Sequence, residues 1–121
     1  MTSQRARPGL TSLTYQILLA LSGGDRHGYA ILKEMEERGG ADAVPSTGAL
    51  YMALSRLESE GLVREAPAPP DDVDDARRRY YRITARGRDA AAAESRRLAD
   101  LVADARARRL LGEPVPDGGE A

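Results

Sequence analysis

The chain has 121 residues, 41% hydrophobic and 31% charged, with a formal net charge of −1, room for one domain with an appended element. Without Phe or Trp, its core must rest on Leu, Ile, Val, Ala, Met and Tyr, which is thin for a monomer and would gain from shared burial in an oligomer. The lack of Cys excludes disulfides, thiolate chemistry and Cys-ligated zinc. No apolar run nears the ~20 residues that span a bilayer, and none of signal-peptide type follows Arg5 and Arg7, so a cytoplasmic location is expected.

Residues 1–9 read as a disordered leader. A first helix is expected from about Ser12 to Leu21, capped by Thr11 or Ser12, with Leu13, Ile17, Ala20 and Leu21 on one face. Ser22-Gly23-Gly24-Asp25 ends it. A second helix starts near His27 or Gly28 and runs to about Arg38, burying Ile31, Leu32 and Met35, until Gly39-Gly40 stops it. A third starts at Ser46, an N-cap residue behind Pro45, and carries the stripe Leu50, Ala53, Leu54 and Leu57 to a stop at Gly61.

A strand follows at about Leu62 to Glu65. Pro67, Pro69 and Pro70 then break regular structure ahead of an acidic loop, Asp71-Asp72-Val73-Asp74-Asp75. Arg77 to Ile83 alternates as a returning strand, with Arg79, Tyr81 and Ile83 on one side and Arg78, Tyr80 and Arg82 on the other. Thr84 caps a long last helix, about Ala85 to Leu111, whose one weak point is Gly87. The expected fold class is therefore mostly α with a small β-ribbon. Residues 10–84 make a winged helix-turn-helix, 85–111 a C-terminal dimerisation helix, and 112–121 a loose tail.

Such an order of elements usually binds DNA. The modest net charge conceals an uneven distribution, since eleven Arg face four acids between Arg77 and Arg109. Opposite the leucine stripe of the third helix lie Thr47, Gly48, Tyr51, Met52 and Ser55, with Arg56 alongside and no acid before Glu58. Small leading side chains let a helix sink into a major groove about 12 Å wide. Hydroxyls on Ser46, Thr47, Tyr51 and Ser55 can bond phosphates or base edges, Arg56 can reach a phosphate, and Met52 offers apolar contact to a thymine methyl. Arg77, Arg78 and Arg79 at the ribbon base can grip flanking phosphates or enter the minor groove. The acidic tip should point away from DNA, and it lacks the spacing of a calcium loop. Lys33 is either a phosphate contact or a surface lysine paired with Glu36 or Glu37.

The stripe Leu98, Leu101, Val102 and Ala105, with Ala91 upstream and Leu110 or Leu111 below, is too narrow to stand alone in water. A homodimer covers it economically and sets two recognition helices about 34 Å apart; the alternative is that the helix folds back on its own domain. Catalysis finds little support: there is no glycine-rich phosphate loop, no HExxH, and a single histidine, His27, reads as a structural residue. No cofactor or metal is expected.

Several pieces in order, His27-Gly28-Tyr29, Ser46-x-Gly48-x-Leu50-Tyr51, Leu54-x-Arg56-Leu57-Glu58-x-Glu60-Gly61-Leu62 and Arg79-Tyr80-Tyr81-Arg82-Ile83-Thr84-x-x-Gly87-Arg88, resemble the PadR family of bacterial transcriptional regulators over residues 10–105. The single C-terminal helix is similar to the family's short members. The resemblance implies a homodimeric winged-helix repressor of a palindromic operator. It places the DNA-reading helix on Thr47 to Arg56, with Tyr51 as the recurring tyrosine. Dimer contacts then fall on Leu10, on the first helix at Leu13 and Ile17, and on Ala91, Leu98, Leu101, Val102 and Ala105. Two features depart from the pattern: Met52 stands where a proline is common, and the wing is longer and more acidic. Some short members hold flat aromatic drugs between tryptophans. Lacking Trp, this chain would hold any small hydrophobic effector with Tyr15, Met35 or aliphatic side chains. The competing expectation is a winged-helix module that docks another protein without specific DNA binding.

Overall fold

The computed structural model describes residues 10–40, 42, 44–70 and 78–112. In order these form α1 (Ser12–Leu21), β1 (Arg26–His27), α2 (Gly28–Gly39), α3 (Thr47–Ser59), β2 (Val63–Ala66), β3 (Tyr80–Ile83) and α4 (Ala85–Ala107). The expected leader, the acidic loop Asp71–Asp75, Arg77 and the tail past Gly112 lie outside the described residues.

Every helix starts on a side chain that accepts one of its first, otherwise unpaired N–H groups. Thr11 Oγ1 accepts from Thr14, His27 Nδ1 from Ala30 and Ser46 Oγ from Ala49, each at 3.1 Å. Thr84 Oγ1 accepts from Gly87 at 3.0 Å and donates to the Gly61 carbonyl at 2.7 Å. Caps of the Ser and Thr type are worth about 1 kcal/mol each. Gly61, at φ +78°, closes α3 in a left-handed turn, with Leu62 N–H bonding Leu57 C=O at 2.9 Å and Gly61 N–H bonding Glu58 C=O at 3.0 Å. That turn aims the chain straight into β2.

The sheet order is β1-β3-β2, all antiparallel. Val63 pairs with Ile83 and Ala66 with Tyr80 on one edge of β3, while Arg26 pairs with Tyr81 and His27 with Tyr80 on the other. The sequence gives no sign of β1: two residues have no periodicity, and the strand exists because β3 offers an edge. A bidentate ion pair secures it from the preceding residue, with Arg82 reaching Asp25 at 3.0 and 2.8 Å. Being central also changes β3 itself. Tyr80 and Tyr81 are both buried, not one in and one out, because the His27 ring closes edge-on over Tyr80 at 5.2 Å.

Ile17, Leu18 and Leu21 of α1 meet Ile31 and Met35 of α2, Leu50, Leu54 and Leu57 of α3, and Val63, Tyr81 and Ile83 of the sheet. In a chain without Phe or Trp, Tyr81 is the largest fully buried side chain, and burial pushes its phenol pKa up. Two expectations are corrected here. Ile17 is 0% exposed and Met35 1% exposed. Ile17 therefore has no surface left for a second chain, and Met35 none for an effector, because both already fill the protomer's own core.

The last helix ends at Ala107, four residues before the expected Leu111. Arg109 turns left-handed at φ +65°, and Leu110 N–H bonds Ala105 C=O at 2.8 Å, a terminating turn that its sequence of good helix formers hides. Gly87 is the point where α4 lies against the start of β2. A Cβ there would overlap the Leu62 carbonyl oxygen and stand 2.8 Å from Ile83 Cγ1.

Candidate nucleic-acid interface

The third helix is fixed by its buried side, and its other side follows from that. With Leu50, Ala53, Leu54 and Leu57 buried, the 3.6-residue period leaves Thr47, Met52, Ser55 and Arg56 exposed. Met52, at 76% exposed, is an apolar side chain offered entirely to solvent. No acid stands in the first turn of α3, so the helix brings no counter-charge of its own to the positive end of its dipole. Ser46 Oγ accepts the cap bond and keeps its hydroxyl proton to donate to an outside acceptor.

The expected cations differ in what holds them. Arg56 lies 3.7 Å from Glu60, and Arg79 lies 2.6 Å from Glu65 across the ribbon, all four side chains well exposed. Such pairs are worth at most about 1 kcal/mol, little enough for a phosphate to displace the acid. Arg78 Nη1 sits 3.2 Å from His27 Nε2, which ties the wing base to the start of α2. Lys33 is exposed on α2, four residues beyond Tyr29 and on the same face.

Tyr51 is placed differently from the sequence expectation. The outer end of its phenol lies over Gly28: a Cβ on that glycine would overlap the phenol oxygen and stand 2.7 Å from Cζ. The ring is 39% exposed, so it is half committed to packing between α3 and α2. Tyr29, quoted above only as part of His27-Gly28-Tyr29 and given no DNA contact, is 63% exposed and stacks beside His27 at 6.4 Å. Its signal was legible: it shares an exposed helical face with Lys33, opposite Ile31 and Met35. Met52, Tyr51 and Tyr29 are thus exposed on α3 and the first turn of α2, and His27 links that turn to Arg78 at the wing base.

On the far side, the first half of α4 docks on α1. Tyr15 Oη and Ser95 Oγ are 2.7 Å apart, and Leu10, Leu13, Ala90 and Ala91 pack at the margin of the core. Glu94 is buried there, and the Arg97 guanidinium at 2.5 Å holds its carboxyl below the usual range. Beyond this point the stripe opens. Leu98 and Ala105 are half-buried, whereas Leu101 is 53% and Val102 44% exposed. Among the described residues no group of His, Asp or Glu is arranged to hold a metal, and no helix is long and apolar enough to cross a membrane.

Comparison with known proteins gives these features a context. Residues 17–93 match the model of the Transcriptional regulator PadR-like family. An uncharacterized 37.1 kDa protein in transposon TN4556 of Streptomyces fradiae is 35% identical over 101 residues, which is 84% of this chain but 26% of that protein. This chain thus spans about a quarter of that relative. The crystal structure of a PadR family transcription regulator from Clostridium difficile superposes with a TM-score of 0.70 at 25% identity, covering 84% of this chain and 100% of that one. A transcriptional regulator from Clostridium thermocellum gives 0.62 at 28% identity, covering 86% and 95%.

Proposed function

The chain belongs to the PadR-like family of transcriptional regulators, and from that premise we propose that it acts in the cytoplasm as a homodimeric repressor reading a palindromic operator. Residues 10–84 serve as the DNA-binding unit and 85–111 as the dimerisation helix. The observation that carries the reading is the outward side of α3, acid-free from Thr47 to Arg56 and held rigid by four buried side chains behind it. Thr47, Ser55 and Met52 meet base edges, while Ser46, Arg56, Lys33, Arg78 and Arg79 meet phosphates. Arg77 adds a third cation beside Arg78 by its place in the sequence.

The open half of α4 supports the dimer. Leu101 and Val102 are large apolar side chains exposed at adjacent positions, with Leu98 and Ala105 one turn to either side, and a second copy covers them at no cost in new sequence. Leu10, Leu13 and Ala91, partly buried where α1 meets α4, extend the proposed dimer contact. A small hydrophobic effector, which would release the operator, draws on Tyr15 and aliphatic side chains of α1 and α4, since Met35 is enclosed.

The test is fluorescence anisotropy with a duplex that the chain itself selects from a random-sequence library. Five cations per protomer, Arg56, Lys33, Arg77, Arg78 and Arg79, make ten phosphate contacts and a slope of log affinity against log salt of about −9. Replacing Arg78 with Ala weakens selected and scrambled duplexes alike and reduces the slope by about two, one contact per protomer. Salt-independent binding, or no selection at all, favours the protein-docking module instead.

A further inference from the structure

The packing of Tyr51 on Gly28 has a consequence for how a duplex is read. A phenol at the middle of an exposed helix face is free to project outward, yet this ring lies back over the first turn of α2. Its hydroxyl end fills the space a Cβ would need at residue 28: that Cβ would overlap Oη and stand 2.7 Å from Cζ and 3.3 Å from Cε1. Gly28 is buried and does not have a left-handed backbone, so its lack of a side chain is not explained by conformation. It is explained by the ring. Behind it, His27 caps α2 through Nδ1 and leans on Tyr80, so the turn that receives the ring is itself anchored to the sheet.

We propose that Tyr51 is a positioning residue: its ring, seated on the bare Cα of Gly28, sets the angle between α2 and α3, and through it the depth at which Thr47, Met52 and Ser55 meet a DNA groove. This rests on the DNA-reading assignment made above. The ring acts through those neighbours and carries little sequence information itself.

The steric fit supplies its own probe. Gly28→Ala adds one methyl in a helical position that alanine tolerates, and the atoms it meets are the outer end of a side chain that can swing away. The fold survives, and the ring is evicted. On the duplex selected by the wild-type chain, Gly28→Ala and Tyr51→Ala should each lose about tenfold or more in affinity, with scrambled duplex bound within about twofold of wild type and cooperative unfolding retained. Gly28→Ala placed in the Tyr51→Ala background should cost nothing further, because the ring it collides with is gone. Tyr51→Phe, which removes the oxygen but keeps Cζ and Cε1 against Gly28, should recover most of the specific binding.

Equal loss on selected and scrambled duplex, additive effects of the two substitutions, or failure of Tyr51→Phe to recover binding would each overturn the positioning role while leaving the DNA-reading assignment intact. A wild-type chain that selects no sequence would overturn both.

Discussion

Replacing Gly87 with alanine sets helix propensity against packing, and the structure decides the sign. On propensity alone the change should stabilise α4 by about 1 kcal/mol. The new Cβ, however, would overlap the Leu62 carbonyl oxygen and lie 3.1 Å from the carbonyl carbon and 2.8 Å from Ile83 Cγ1. That carbonyl cannot turn aside, because it is backbone and already accepts the Thr84 N–H at 3.1 Å. The first turn of α4 must lift away from β2 instead, straining the Thr84 hydroxyl bond to Gly61. Overpacking at a fixed site costs about 1–3 kcal/mol, and contact with backbone belongs at the upper end, so the net loss should be about 2 kcal/mol. Urea denaturation at a fixed protein concentration measures it, with an unchanged m-value marking an unchanged unfolding transition. A neutral or stabilising result would refute the claim that glycine is needed here for close approach.

Gly48→Ala is the opposite case: nothing lies within 4 Å of its would-be Cβ, so the same denaturation should show a gain of up to about 1 kcal/mol. Arg109→Gly relieves a non-glycine residue at φ +65° and should stabilise by about 0.5 kcal/mol, seen as a higher Tm. Asp25→Asn tests the pin that holds β1. The Arg82 guanidinium lowers the Asp25 carboxyl below its ordinary value of 3.8, with Arg64 and Arg26 adding to the effect. The wild-type stability it confers is present above pH 3.8 and is lost as pH falls through the folded value. Denaturation of Asp25→Asn should therefore show lower stability than wild type at neutral pH and a shallower fall in acid. Parallel acid profiles for the two proteins would contradict this.

What could be read from the sequence was what local chemistry determines. The start and end of α1, the Ser46 cap and the Gly61 stop of α3 all follow from side chains within four residues of one another. What could not be read depends on distant partners. β1 needs an edge on β3 and an arginine fifty-seven residues away in Arg82. Tyr80 is buried because His27 comes to lie against it. Tyr51 folds back because Gly28, twenty-three positions earlier, leaves room. The end of α4 is hidden for a different reason: Arg and Leu are good helix formers, and only the backbone at Arg109, φ +65°, shows where the helix turns off. For Ile17 and Met35 it is the helical period, which puts both on a core face, that agrees with their burial, and not the dimer and effector contacts that accompany the family resemblance.

Hydroxyl-radical footprinting of the wild-type chain on its selected duplex bears most directly on the central claim, that paired copies set two α3 helices into successive major grooves. Two protected patches, related by a two-fold axis and about 10 base pairs apart centre to centre, are the predicted result. A single patch, or even protection along the whole duplex, would contradict it.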